Sequence, residues 1–424
     1  MVFVVTADSS QMSNKLGSLT HPSRTSARVS NQASASSRGS RLPAGDPQVT
    51  TLTTGDELAA VGSEWDALVR AMPRPSPFML QGWVLPWWRH YGSELELEVH
   101  VSRRNGRLVG VLPLCIERRF GVRRLRLLGG PQAVLGDILL APGENPSTAR
   151  ALVEQLERSG RYDLLDVYGI PASSVLEQSV HGQEFHAIER IEAPVLDVRD
   201  SWQETYRSNV SAKSRNTHKR RRRQLAELGR LETRIARTPQ EIDSVLEDAF
   251  RLHRVRWEGR PDGSDFASER GALFQRDALL TLAREDIPRI ALLELDGRAI
   301  AFHAYFLFAG RMYVHRLSFD PALAHFSPGI VNTLDAVEAA IDEGATRVEF
   351  LGGAERYKRQ LADRFEPLYA GLGMPATRRG KAAVIATVAT IAARKRLKRS
   401  QRIHGFYFDT LAPVRKRVKR ARAM

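Results

Sequence analysis

Cysteine is almost absent from the sequence, because Cys115 is the only one among 424 residues. A single cysteine excludes an internal disulfide and any zinc site built from several thiolates. Its surroundings, VLPLCIE, are apolar. We therefore expect Cys115 to be a buried structural thiol, and we predict no metal site.

A secretory signal is also missing. The start, MVFVVTADSSQMS, has no basic residue before Lys15 and no apolar run long enough for a signal peptide, so we expect a cytoplasmic protein. Residues 1–48 are rich in Ser, Thr, Asn and Gln and lack a periodic apolar pattern. This composition predicts a disordered segment, or a start assigned upstream of the true protein.

Most of the chain lacks an excess of either charge. The formal net charge is +15, but from Arg378 to the end 15 Lys and Arg residues stand against Asp409 alone. The basic tail, residues 376–424, contains the uncharged stretch AAVIATVATIAA followed by RKRLKRSQR. Twelve helical residues span about 18 Å, short of the roughly 30 Å of a bilayer core. The tail could associate peripherally with an anionic membrane, contact RNA or remain a solvated disordered segment.

The apolar content, 42%, and the length predict two domains, at residues 49–200 and 201–375. The first contains three predicted strands separated by the pairs Asn105 with Gly106 and Phe120 with Gly121: LELEVHVSRR, RLVGVLPLCIERR and VRRLRLLGG. Asn-Gly between apolar runs is a strong hairpin signal. We therefore predict an antiparallel meander.

The same pattern returns about 190 residues later, with turns at Asp296 with Gly297 and at Ala309 with Gly310. Its predicted strands are PRIALLEL, RAIAFHAYFLF and RMYVHRLSFD. Aligning residues 105–114 with 296–305 places turn against turn and apolar run against apolar run. This correspondence indicates an internal repeat and two related domains, although two independent meanders would give the same pattern.

The stretch AHFSPGIVN leads from the second meander into a helix. Ser327 is suited to the N-cap and Pro328 to the first helical position, and the helix then carries a periodic apolar face. Free backbone N–H groups and the helix dipole make such a start suitable for phosphate. Because Gly329 has no side chain to keep a ligand away, we predict that Ser327, Gly329, Ile330 and Val331 bind a phosphate-bearing cofactor.

Several ordered blocks resemble the FemAB-like branch of the GNAT acyltransferases, in particular the CelD/BcsL family of acetyltransferases associated with cellulose biosynthesis. The blocks are SPFMLQGWVLPWWRHYG, GRLVGVLPL, SAKSRNTHKRRRRQLAELG, GRAIAFHAYFLFAGRMYVHRLSFDPALAHFSPG and VEFLGGAERYKRQLADR. The resemblance covers residues from about 55 to 372. It implies an α/β (α+β) fold of two tandem GNAT-like domains, each a mixed, mostly antiparallel sheet flanked by helices.

The resemblance also implies a donor and a groove. Acetyl-CoA or another acyl-CoA would bind to the second domain, with its pyrophosphate at the helix that begins near Ser327. The usual GNAT signature, Gln/Arg-x-x-Gly-x-Gly/Ala, is absent, and this chain has one glycine, Gly329, in its place. FemAB proteins use the same architecture with aminoacyl-tRNA, so that donor is the alternative.

Acyl transfer from a thioester needs a base for the acceptor, a stabiliser for the oxyanion and an acid for the leaving thiol. No G-x-S-x-G elbow or Cys-His pair suggests a covalent intermediate. We predict four catalytic candidates, of which the first two share one strand face: His303, Tyr305, Glu349 and Tyr357. Three further residues are predicted to contact the acceptor substrate: His315, Asp320 and Lys358. We expect Tyr357 and Lys358 to lie in a loop.

The sequence thus favours an N- or O-acetyltransferase that acts on an amine or hydroxyl of a sugar or polysaccharide precursor. The alternatives are a tRNA-dependent aminoacyl transferase and a non-catalytic, membrane-associated scaffold. The run HKRRRR, which ends at Arg223, predicts a solvated helix surface or contact with an anionic ligand; nucleic acid other than tRNA is not expected, because no aromatic residues interrupt the run.

Overall fold

The computed structural model describes residues 47–130, 134–144, 146–172, 174–180, 185–258, 264–353 and 355–399. Most of the predicted disordered segment 1–48, and the tail beyond residue 399, lie outside them. The strands are β1 Gln48–Leu52, β2 Leu95–Arg104, β3 Arg107–Arg119, β4 Val122–Leu127, β5 Leu139–Leu140, β6 Leu164–Pro171, β7 His186–Ile191, β8 Pro194–Asp197, β9 Leu231–Ala236, β10 Pro288–Leu295, β11 Arg298–Phe308, β12 Arg311–Phe319, β13 Arg347–Glu349, β14 Arg364–Phe365 and β15 Leu368–Gly373.

The helices cover both faces of the sheets. They are α1 Gly55–Ala60, α2 Gly62–Ala71, α3 Gln81–Tyr91, α4 Pro146–Ser159, α5 Val175–Ser179, α6 Trp202–Asn209, α7 Ala212–Ala226, α8 Pro239–Trp257, α9 Glu269–Ala283, α10 Pro328–Asp342, α11 Arg356–Leu361 and α12 Arg378–Arg399. Within this described part of the chain, no helix is both long enough and apolar enough to span a bilayer.

Two mixed sheets organise the molecule. The first has the order β1-β2-β3-β4-β6-β15-β7, with β5 paired to β3, and the second has the order β14-β8-β13-β12-β11-β10-β9. Parallel pairing occurs between β4 and β6 and between β12 and β13. This arrangement confirms the predicted fold class of two mixed, mostly antiparallel sheets flanked by helices.

The internal repeat predicted from the sequence is present in the backbone. In each half, a three-stranded meander is followed by a helix and by a strand parallel to the third: β2-β3-β4, α4 and β6 correspond to β10-β11-β12, α10 and β13. The two first turns have nearly the same backbone angles, with φ of 51° at Asn105 and 50° at Asp296. Left-handed φ at both central positions is what a tight hairpin turn requires.

One strand of the first sheet comes from the end of the described chain. β15, near the end of the described chain, lies in the first sheet between β6 and β7, whereas β8 lies in the second sheet between β13 and β14. The second sheet therefore consists of β8 to β14, a continuous stretch of sequence, whereas the first sheet needs β15 in addition to β1 to β7. The domain boundaries at residues 200 and 375 stay predictions.

A shared aromatic core joins the halves. Trp83 on α3 is fully buried and packs edge-on against Phe78 of its own half and against Phe274 and Phe306 of the other. Such edge-to-face contacts add stability beyond the buried area. The tryptophan-rich segment thus serves as core, and it fixes α3 against α9.

Candidate functional site

β12 and β13 form an opening in the second sheet, because these parallel strands pair over only three residues. The pairs are Arg311 with Arg347, Met312 with Val348 and Tyr313 with Glu349. Beyond them β12 continues to Phe319 along β11, whereas the chain after β13 follows β8, where Phe350 N–H donates to the Pro194 carbonyl. Among the described strands, none pairs with this edge of β12 from residue 314 to 319. Backbone groups that no strand pairs with can hydrogen-bond to a ligand with amide groups, and the Leu317 carbonyl in this stretch accepts from an arginine side chain.

Helix α10 begins at the end of β12, beside the opening. Ser327 occupies the N-cap position with φ 59° and ψ 51°, and its side chain makes no capping hydrogen bond. The predicted N-cap position of Ser327 and first helical position of Pro328 are therefore confirmed, although the side-chain hydrogen bond typical of a serine cap is not formed. The Ser327 carbonyl instead accepts from Ile330 and Val331. Within the described part of the chain, the Gly329 N–H has no backbone acceptor.

Gly329 is required by packing. A Cβ at this position would lie 2.9 Å from Cδ1 of Phe319, closer than real Cβ contacts allow. The missing side chain thus lets the helix start pack on the ring of Phe319. Val331 is buried in an apolar cluster, and the N–H groups of Ile330 and Val331 donate to the Ser327 carbonyl. Of the four predicted cofactor-binding residues, Gly329 is therefore the one whose N–H has no backbone acceptor in the described part of the chain.

His303 and Tyr305 lie on the face of β11 that α10 covers, as predicted from their alternation. His303 is 1% exposed, and neither of its ring nitrogens has a hydrogen-bond partner within the described residues. Burial, and then the nearby charge of Lys358, lower the pKa of His303 to about 3, so the ring is neutral at neutral pH. Burial raises the pKa of Tyr305, whose hydroxyl also lacks a partner in this part of the chain.

Tyr357 and Lys358 lie in α11, so the prediction of a loop was wrong. Lys358 is 6% exposed, donates to the Gly352 carbonyl at 2.9 Å and lies 3.0 Å from the Glu355 carboxylate. Burial lowers the pKa of Lys358 and raises that of Tyr357. The phenol is therefore protonated at neutral pH, and its raised pKa makes it a weaker acid than a free tyrosine.

Arg316 is a charged residue of the opening that sequence reasoning missed. It lies on β12 next to a register shift in the pairing with β11. Its Nε is buried without an acceptor, and no carboxylate of the described residues lies within ion-pair distance of the guanidinium. The side chain is half-buried, and a cation partly withdrawn from water without a carboxylate partner favours the binding of an anion. Strand β12, RMYVHRLSF, also contains Arg311 and His315, so no local signal marks Arg316 as a site residue.

Arg256, at the end of α8, was also missed. Its guanidinium donates to the Leu317 carbonyl at 3.3 Å, on β12, and lies 4.5 Å from the ring centroid of Phe319. Because that ring packs on Gly329, Arg256 lies on the same side of the opening as the start of α10. The two features together form a positively charged end of the opening.

Glu349, a predicted catalytic residue, is held by arginines at the point where β12 and β13 part. Its carboxylate is fully buried and lies 2.6 Å from Arg74, 2.8 Å from Arg347 and 3.6 Å from Arg311. Arg74 belongs to the first half of the chain. The geometry gives Glu349 a structural role that links the two halves, because its oxygens are already engaged.

The structure does not bring His315 and Asp320 to the other site residues. His315 points into the aromatic core, where its Nε2 lies 2.8 Å from Oε1 of Gln275 and burial places its pKa well below the usual range. Asp320 accepts from Ala322 N–H at 3.0 Å and caps a 3-10 helix, Pro321–Phe326. Both side chains are thus engaged in packing or capping.

The opening therefore combines an unpaired strand edge, a helix start and cationic side chains. Such a set can bind an anionic ligand with amide groups and can stabilise an oxyanion. Among the residues that the structure describes, no three His, Cys, Asp or Glu side chains are grouped to hold a metal ion.

The comparison with known families addresses the half that contains this opening. Residues 212–359 match the family model of the acetyltransferase (GNAT) domain. The matched region runs from α7 into α11 and so includes β12, β13 and the start of α10. A comparison with curated proteins found no match.

Solved structures show the same fold over both halves. The protein is similar to FemX, with 11% identity, coverage of 77% of this chain and 96% of that chain, and a TM-score of 0.54. A conserved protein of unknown function from Bacteroides thetaiotaomicron VPI-5482 is 13% identical over 77% of this chain and 100% of its own, with a TM-score of 0.50. At these identities the likeness shows the fold alone.

Proposed function

We propose that the protein is a GNAT-type acyltransferase that moves an acetyl or other acyl group from acyl-CoA to an amine or hydroxyl. The observation that carries this proposal is the opening between β12 and β13, with Arg316, which has no carboxylate partner among the described residues, inside it and the start of α10 at its end. The family match over residues 212–359 supports the same reaction class.

Acyl-CoA has chemical features that correspond to parts of the opening. Its pyrophosphate suits the Gly329 N–H and the Arg256 guanidinium, since both lie next to the Phe319 ring. The amide groups of its pantetheine arm suit the unpaired edge of β12. In this arrangement the thioester lies deeper in the opening, towards Arg316 and Lys358.

The reaction then needs no covalent enzyme intermediate. The acceptor nitrogen or oxygen attacks the thioester carbonyl, the carbon–sulfur bond breaks, and the thiolate takes up a proton while the acceptor loses one. The cations Arg316 and Lys358 would stabilise the oxyanion, and the protonated phenol of Tyr357 could supply the proton. His303 would contribute as a neutral polar residue, because its low pKa makes it a weak base.

We propose a sugar or polysaccharide precursor as the acceptor. Support for this finer assignment comes from the sequence resemblance to the CelD/BcsL family. The GNAT domain and the geometry of the opening are compatible with several classes of amine and hydroxyl.

Titration calorimetry with acetyl-CoA tests the donor. We expect Arg256→Gln to weaken binding by about 10- to 100-fold, the usual effect of losing a charge-assisted hydrogen bond to phosphate. Arg254→Gln is the matched control, because Arg254 lies on the same helix but pairs with Glu247 at the exposed surface. Equal affinities for the two variants, or no heat with the wild-type protein, would contradict the proposed donor.

Release of free CoA in the presence of amine and sugar acceptors tests the reaction itself. Arg316→Met should reduce turnover with a smaller effect on acetyl-CoA affinity, since Arg316 lies away from the phosphate end. A protein that binds acetyl-CoA but releases no CoA with any acceptor would point to the scaffold alternative.

Transfer from aminoacyl-tRNA is a second candidate because of helix α7. This helix carries seven Lys and Arg residues and no acidic residue, and it crosses the start of α10, where Arg221 donates to the His325 carbonyl and Arg222 pairs with Asp335. Lys219 and Arg220 are exposed. Such a surface suits a phosphate backbone.

Binding of charged tRNA discriminates the two donors. Under the second candidate, a Lys219→Gln and Arg220→Gln double variant loses tRNA affinity and the wild-type affinity falls steeply with salt. Under the first, acetyl-CoA binds and charged tRNA does not.

A further inference from the structure

The turn between β3 and β4 exposes a large aromatic ring. Phe120 is 88% exposed and has the left-handed φ of 50°, with Gly121 following at 74°. The corresponding turn of the second half has φ of 49° at Ala309 and 69° at Gly310. Because alanine supports the same turn, the backbone does not require a phenylalanine there. The ring must be explained by something outside the turn.

Helix α12 begins beside Phe120 and continues this apolar surface. Arg379 donates to the Gly121 carbonyl at 2.9 Å, and Val384 packs into the first half against Leu164. On the opposite side Ile385 is 69% exposed. No charged residue occurs from 382 to 393, so the helix is apolar on both its docked and its open face. A helix that is apolar all round is normally covered on all sides.

Cations surround the apolar residues. Arg118, Arg123, Arg378 and Arg379 line one shallow groove that also includes Gly121. Arg118 and Arg123 pair with Glu96 and Asp163, and the guanidinium of Arg119 lies 5.3 Å from the centroid of the Phe120 ring.

Among the described residues, no carboxylate lies within ion-pair distance of Arg378, Arg379 or Lys381. The sequence that follows α12 is also strongly basic.

We propose that Phe120, the open face of α12 and the cations around them form one docking surface for an anionic lipid bilayer. An exposed aromatic ring and an isoleucine within a basic rim are what an interfacial protein presents to lipid headgroups. Nucleic acid could bind to the same cations, but it would leave the aliphatic face of α12 exposed to water. The uncharged part of α12 spans about 18 Å, so the helix can lie in the interface without crossing it.

Co-sedimentation of the full-length protein with vesicles tests this surface. We expect binding to vesicles of phosphatidylcholine mixed with phosphatidylglycerol and little binding to phosphatidylcholine alone. Phe120→Ala and Ile385→Ser should each weaken binding by about tenfold. Phe365→Ala is the matched control, because Phe365 is a partly exposed aromatic residue of the other half.

The charges are tested with the double variant Arg378→Gln and Arg379→Gln, against a control in which the exposed Arg230 and Arg298 are changed in the same way. The first double variant should bind vesicles more weakly and with a smaller salt dependence. The control double variant should bind like the wild-type protein. Acetyl-CoA affinity measured without vesicles should be unchanged in all variants, so failure here is separable from failure of the proposed donor.

Three outcomes would overturn the proposal. Equal binding to neutral and anionic vesicles would show that the cations do not contribute. Vesicle binding that is insensitive to Phe120→Ala and Ile385→Ser would show that the apolar residues do not contribute. Absence of vesicle binding would overturn it in favour of another partner. In that case, binding of a short RNA would identify nucleic acid, and a dimer lost on Ile385→Ser would identify a second copy of the chain.

Discussion

The two halves share one architecture, yet the openings next to their parallel strand pairs differ. In the first half β4 and β6 pair over only two residues, but the chain itself occupies the space beyond. Leu135 is fully buried there and donates to the Gly169 carbonyl of β6 at 2.8 Å. In the second half no described strand pairs with the free edge of β12, and polar side chains without partners lie beside it.

A position-by-position comparison supports the same distinction. In the alignment of the two meanders, His303 and Tyr305 correspond to Leu112 and Leu114, both fully buried. Apolar residues at these positions make the first half a closed structural unit. The second half instead keeps polar groups in its interior at a cost in stability, which is typical of a ligand site.

The largest expected effect concerns Glu349, where the second opening begins. Glu349→Gln leaves Arg74, Arg347 and Arg311 without their common buried carboxylate, so we expect a loss of about 3–5 kcal/mol in the free energy of unfolding. Glu366→Gln, at a more exposed partner of the same arginines, should cost about 1 kcal/mol or less. Urea denaturation measures both, and equal small losses would show that the buried network is not a link between the halves.

Creating a cavity in the first half should lower the stability of the protein without changing donor binding. Leu135→Ala removes a fully buried side chain from the filled space, and we expect it to cost about 2–5 kcal/mol. Acetyl-CoA affinity at a temperature well below unfolding should stay unchanged. A large loss of affinity in this variant would mean that the first half takes part in donor binding.

The acid sensitivity of the fold should depend on the buried histidines of the second half. Burial lowers the pKa values of His253 and His303 to about 3, whereas both are near 6.5 in the unfolded chain. The unfolded state therefore binds more protons between pH 6.5 and 3, and stability falls as the pH drops through this window.

Each histidine should contribute about 2 kcal/mol to the loss between pH 7 and pH 5. His303→Asn should reduce the difference between the two pH values by this amount in urea denaturation. An unchanged difference would mean that His303 gains a proton in the folded protein, as a catalytic base with a normal pKa would.

The smallest expected effect concerns the start of α10. Gly329→Ala places a methyl group against the ring of Phe319, so we expect a loss of about 1–2 kcal/mol together with weaker acetyl-CoA binding. Thermal unfolding and calorimetry on the same variant separate the two effects. Unchanged stability would show that Phe319 can move away without cost.

Much of this fold could be predicted from local sequence signals. The strands β2, β3, β10 and β11 begin and end where the alternating apolar runs and their turn residues placed them. The places of β8 in the second sheet and of β15 in the first were beyond such reasoning, because short strands find their partners through long-range pairing. Helix α11 was missed because six residues with four charges or amides show no helical periodicity.

The candidate site was predictable only in part. The residues Ser-Pro-Gly correctly predicted where helix α10 begins. Strand alternation correctly predicted that His303 and Tyr305 lie on one face of their strand. The burial of Arg316 depends on a register shift between β11 and β12, and the position of Arg256 depends on how α8 crosses the sheet. Neither feature has a local signal in the sequence.

Hydrogen–deuterium exchange with and without acetyl-CoA is the most direct test of the difference between the two halves. We predict slower exchange on acetyl-CoA addition in residues 314–331 and 355–361, which border the second opening. Residues 134–144 and 164–172, which fill or border the first, should not change. Protection confined to the first half, or no protection in either, would contradict the assignment of the donor site to the opening between β12 and β13.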